Sequence, residues 1–68
     1  MPYVNIKVTG GREAPSKEQK AELIKGATDL LARVLNKNPA TTVVIIEEVD
    51  MDNWGMAGES VTERRKKG

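Results

Sequence analysis

Residues 41–49 read TTVVIIEEV, and Val43, Val44, Ile45 and Ile46 form the longest uninterrupted apolar run in the chain. Successive side chains of a strand point to opposite faces, so an apolar run without alternation asks for cover on both sides of its sheet. A chain of 68 residues has little to cover it with. A domain of this size buries only about 60% of the surface that its unfolded chain exposes. Such scaffolds need disulfides, a metal or association of copies. The sequence has neither cysteine nor histidine, which removes disulfides and the usual zinc ligands. Its aromatic residues are Tyr3 and Trp54 alone. Subunit association is the remaining source of buried area.

The rest of the chain fits one small unit around that strand. In YVNIKV, Val4, Ile6 and Val8 alternate with Tyr3, Asn5 and Lys7, the pattern of a strand with one buried face. Thr9, Gly10 and Gly11 signal a turn, and residues 12–15 continue the connection. Ser16 with Gln19 three residues on forms a capping box, which satisfies two orphan backbone donors at a helix start. Apolar residues then recur at 21, 23, 24, 27, 30, 31, 34 and 35, the spacing of an amphipathic helix of about five turns. Gly26 weakens that helix by roughly 1 kcal/mol relative to alanine. The stretch NKNP at 36–39 stops it. Two strands joined through a helix pair in parallel by a right-handed crossover. The expected fold is therefore α/β (α+β): a β-α-β unit with two parallel strands, one long helix and a loop or short hairpin over DMDNWGMAGE at 50–59. ERRKK at 63–67 reads as a charged tail. No repeat or second domain is evident, so residues 1–68 read as a single domain. A sheet of two long strands is too small for independent stability, and its unpaired edges point again to association.

Eleven basic residues against ten acidic leave a net charge of +1, which provides no global field for nucleic acid or an acidic membrane. The run RRKK stands beside Glu59 and Glu63 and reads as a solvated terminus; no phosphate loop or RNA-binding motif accompanies it. The apolar run at 43–46 is far below the roughly 20 residues of a membrane helix, and no signal peptide is evident, so the expected location is cytoplasmic.

Pro2 has two readings. It can blunt an edge strand, since proline is tolerated there or at a first position. Removal of Met1 would instead leave it as a free secondary amine, a base and nucleophile in its own right. The second reading gains weight from the order of PYVNI at 2–6, GGR at 10–12, EQKAELI at 18–24 and NWGMAGE at 53–59. Together these cover nearly the whole chain, which resembles the 4-oxalocrotonate tautomerase family.

The resemblance implies an enol–keto tautomerase acting on a small 2-hydroxydienoic or 2-oxo acid. It needs no cofactor or metal, and it assembles as a hexamer, a trimer of dimers with pockets shared between subunits. Pro2 is the implied catalytic base and acid, Arg12 the implied catalytic and substrate-binding residue for a carboxylate, and Trp54 the implied substrate-binding wall of the pocket. Without the resemblance, Arg12 reads as a loop arginine paired with Glu13 or Glu18, and Trp54 as an oligomer contact. Gly55 and Gly58 suit tight turns. Two positions depart from the family pattern. Val43 stands where well-studied members carry a second arginine, and neither Arg33 nor Lys37 replaces it in the motif. Met56 stands near a glutamate that activates water in a hydratase and dehalogenase branch. A binding protein without catalysis, or a hydratase-like member, is the alternative reading.

Overall fold

The structure is a computed structural model and describes residues 1–67. Strand β1 (Tyr3–Thr9) and strand β2 (Val43–Val49) pair in parallel, with Tyr3 opposite Val43 and Thr9 opposite Val49. Helix α1 (Lys17–Leu35) makes the crossover between them. Its start is the expected capping box: the Ser16 hydroxyl accepts from the Gln19 backbone N–H at 3.1 Å, and the Ser16 N–H donates to the Gln19 side chain at 2.8 Å. Asn36 ends it in the left-handed region at φ 55°. Asparagine tolerates that conformation because its short polar side chain bonds locally.

Strand alternation fixes which residues meet the helix. Val4, Ile6 and Val8 share a face with their register partners Val44, Ile46 and Glu48. α1 lies over that face, mainly across β2. Lys20 of the helix pairs with Glu48, so the one charge on the inner face of β2 is compensated. The other face carries Tyr3, Asn5, Val43, Ile45 and Glu47. Here Asn5 donates to the Glu47 carboxylate at 2.6 Å. The two-sided cover expected for the 43–46 run is only half supplied by one chain: Val44 and Ile46 are half-buried, while Val43 and Ile45 are each 42% exposed. The chain owns one long helix, and a single layer of helix covers one face.

Beyond β2, a 3-10 turn (Met51–Asn53) leads into a hairpin of β3 (Gly55–Met56) and β4 (Glu59–Ser60). Its two-residue loop, Ala57 and Gly58, has φ 53° and 84°, and two successive positive φ values are what a type I′ hairpin turn requires. Of the two glycines read as turn residues, Gly58 takes this role; Gly55 is in a strand, and Ala57 bears the other positive φ.

Residues 61–66 are not part of a tail. They form a second helix, α2 (Val61–Lys66). Ser60 caps it by accepting from the Glu63 N–H at 3.2 Å, and Val61 sits beneath it at 5% exposure. Val61 is the sole buried apolar side chain among the described residues, whereas Leu23, Ile24, Leu30, Val34 and Leu35 of α1 are all exposed. One chain has almost no core of its own. A groove of about 780 Å³ lies between β1 and α1, where Ile6, Val8, Leu23, Gly26 and Leu30 face open space.

Candidate active site

Parallel pairing sorts the candidate residues by end of the sheet. Pro2 precedes β1, and its carbonyl accepts from the Val43 N–H at 3.0 Å, so Pro2 and Val43 are neighbours where both strands begin. Pro2 is half-buried, while Met1 beyond it is 92% exposed. Arg12 and Trp54 follow the opposite end. Seven strand residues at about 3.3 Å each separate the ends by roughly 20 Å. One chain therefore does not bring Pro2 and Arg12 together.

At the far end, the Gly10 N–H donates to the Val49 carbonyl at 2.7 Å and extends the pairing one step past the strands. Gly10 is buried, and a Cβ there would lie 3.4 Å from both Glu48 and the Val49 carbonyl. Gly11 then turns the chain with φ 66°, a conformation most side chains resist. These two glycines launch a 3-10 turn (Gly11–Glu13) that presents Arg12 to solvent. Trp54 is half-buried between the 3-10 turn at 51–53 and β3, and its carbonyl accepts from the Val61 N–H at 2.8 Å. The base of the hairpin is thus tied to the start of α2.

Arg12 does not pair with Glu13 or Glu18. Among the described residues it forms no ion pair. Glu13 is held instead by Arg65 of α2, and it accepts from the Thr9 hydroxyl at 2.7 Å. The Arg65 hydrogen bond is the main cause that holds the Glu13 carboxyl below the usual carboxylate range, with Thr9 adding to it. Arg65 is raised in turn by the same partner. Arg12 and Arg65 line one concavity of about 480 Å³ with Gly11, Met51, Thr62 and Lys66.

Arg65 is the residue that sequence reasoning passed over. A signal was present in SVTE at 60–63, serine followed three residues later by glutamate, which marks a helix start as SKEQ does at 16–19. Reading it as such would have converted the tail into a helix with one face turned to the Arg12 loop. Among the described residues, no group of three or more Asp, Glu, His or Cys side chains is gathered to hold a metal ion. No helix among them is long and apolar enough to cross a membrane.

Known proteins with this arrangement are numerous. The family model described as Tautomerase enzyme matches residues 2–64. A relative from Dickeya dadantii, described as probable tautomerase K2, is 61% identical over 66 residues, 97% of this chain and 96% of that protein. The crystal structure of DmpI from Helicobacter pylori superposes with a TM-score of 0.89 at 51% identity, covering 98% of this chain and all of that one. A heterohexamer 4-oxalocrotonate tautomerase from Chloroflexus aurantiacus J-10-fl gives a TM-score of 0.81 at 32% identity, over 93% of this chain and 97% of its own. The chain matches these proteins along almost their full length and shares their fold, and it belongs to the tautomerase family.

Proposed function

We propose that this protein is an isomerase that interconverts the enol and keto forms of a small 2-hydroxydienoic or 2-oxo acid. The N-terminal proline, freed of Met1, acts as base and acid in that reaction. While Met1 is attached, the nitrogen is an amide without a basic lone pair. Once free, it is a secondary amine, intrinsically more basic than the α-amino groups that titrate near ~7.7–8.0. A pocket wall and a nearby cation both disfavour the ammonium form and bring its pKa towards neutrality. The amine then takes the proton of the enol hydroxyl and returns it to a carbon of the conjugated chain. Arg12 holds the carboxylate with a two-pronged guanidinium and stabilises negative charge that spreads towards it as the dienolate forms. Trp54 keeps water from the amine.

The observation that carries the reading is the exposed Met1 followed by half-buried Pro2 at the start of a strand, in a chain of this family. Completing the site requires Arg12 and Trp54 from another copy, since both stand at the end of the sheet opposite Pro2. The open groove over β1 and α1 and the exposed Val43 and Ile45 supply apolar faces for that association. A homohexamer with pockets between subunits is the assembly we propose, in keeping with the hexameric relative. Val43 beside Pro2 favours a substrate with one carboxylate over one held by a cation at each end.

The test combines intact mass with 2-hydroxymuconate-type ketonisation. The active protein is expected to start at Pro2, and Pro2→Ala is expected to lower kcat/KM by about 10²–10³-fold, since its primary amine retains part of the function. Full activity in a chain that keeps Met1 contradicts the role given to Pro2, whereas a chain that keeps Met1 and shows no ketonisation leaves a non-catalytic ligand-binding member as the better account.

A further inference from the structure

We propose that Arg65 is a second carboxylate-binding residue beside Arg12, so that an acid ligand is anchored at one end by two guanidinium groups; this rests on the reading of Arg12 as the carboxylate anchor.

The two arginines come from parts of the chain more than fifty positions apart and line the same concavity of about 480 Å³. Thr62, Arg65 and Lys66 all line it, positions three and four apart that form a single face of α2. The helix is fixed in place by the Ser60 cap, by buried Val61 and by the bond from the Val61 N–H to the Trp54 carbonyl. Arg65 is oriented by Glu13, the residue after Arg12.

The acidic groups nearby have other partners. Glu13 is engaged by Arg65 and Thr9. Asp50, which also lines the concavity, accepts from the Asp52 N–H at 2.9 Å, and Asp52 accepts from the Thr62 hydroxyl. Lys66 pairs with Glu63 at 3.1 Å. Arg12 has no ion pair among the described residues, and Arg65 meets Glu13 through one terminal nitrogen. A guanidinium has five N–H donors, so Arg65 retains donors after this contact. Two cationic forks on one concavity match the two oxygens of a carboxylate. Among the described residues no such pair of arginines stands at the Pro2 end, where Val43 presents an apolar side chain. The ligand class that follows is an acid bound at one end, with an apolar or uncharged remainder.

The experiment measures equilibrium binding of sorbate and of its uncharged amide, sorbamide, to the assembled full chain by calorimetry, for wild type, Arg65→Ala and Arg65→Lys. Circular dichroism and particle mass check each variant. Wild type is expected to bind sorbate, with affinity about 10-fold weaker in Arg65→Ala and about 3-fold weaker in Arg65→Lys, which keeps the charge and loses the fork. Sorbamide binding is expected to be the same in all three. Equal sorbate affinity across the three proteins overturns the proposal, as does an equal loss for acid and amide or a wild type that does not bind sorbate. Because no turnover is needed, Arg65-dependent sorbate binding without any ketonisation overturns the tautomerase reading alone and leaves this one standing.

Discussion

The two ends of the sheet are built from different chemistry. Where the strands begin, Pro2 and Val43 share a backbone hydrogen bond, and the surroundings are Met1, Tyr3 and open apolar surface. Where they finish, charged and polar pairs crowd together: Glu13 with Arg65, Thr9 with Glu13, Asp52 with Thr62, and Glu59 with Lys67. One end offers a candidate base in apolar surroundings, which keep an amine uncharged. The other offers cations for an anion. The parallel crossover holds them a strand's length apart, so the same feature that makes the fold simple keeps a single chain from completing the proposed site. Function, in this account, is a property of touching ends from different copies.

Breaking the association should have the largest effect. Leu30 is 48% exposed and lines the groove over β1. Leu30→Glu would bury an unpaired carboxylate if a second copy covers that groove, at a cost of several kcal/mol. The expected outcome is a particle of lower mass by light scattering and loss of ketonisation; an unchanged particle with unchanged activity would show that the groove is not an interface. Gly26 lines the same groove, and apart from its own stretch of helix nothing lies within 4 Å of where its Cβ would be. Its cost to the helix therefore has no reason within one chain.

The apolar character of the Pro2 end can be altered directly. Val43→Arg places a cation beside Pro2, where the family pattern has one. A charge-assisted hydrogen bond contributes about 1.5–3 kcal/mol, so kcat/KM for a dicarboxylate should rise about 10-fold relative to a monocarboxylate, read by steady-state kinetics on both. No change in that ratio would mean that Val43 does not face the ligand.

The smallest effect belongs to the polar end. Arg65 lowers the Glu13 pKa below its unfolded value, so the pair stabilises the fold fully above the ordinary carboxylate range and ceases to do so as pH falls through the lowered value. The difference in melting temperature between wild type and Glu13→Gln should be present at neutral pH and vanish on acidification. A difference that grew in acid would contradict the assignment. Both side chains are partly open to water, which keeps the effect small.

Much of this was readable in the sequence wherever the signal is local. The Ser16–Gln19 box, the alternation in YVNIKV and the glycines at 10 and 11 each specify their own structure through backbone chemistry. Helix α2 carried the same kind of signal in SVTE but was obscured by the charged run behind it. That Val43 and Ile45 need cover beyond one chain was readable, but which surface supplies it was not, because that depends on what packs from outside the chain. The partnership of Glu13 with Arg65 was also hidden, since two helices and a hairpin must be in place before those residues meet. Sequence alone placed Pro2, Arg12 and Trp54 in one list; only the direction of the strands separates the first from the other two.

The most direct measurement mixes two inactive proteins. Pro2→Ala and Arg12→Ala chains, unfolded together in equal amounts and refolded, should regain ketonisation, because random assembly pairs an intact Pro2 from one copy with an intact Arg12 from another in about a quarter of the sites. Activity near that level, with each variant refolded alone staying low, is what an active site shared between copies gives. A mixture no more active than its parents would contradict it.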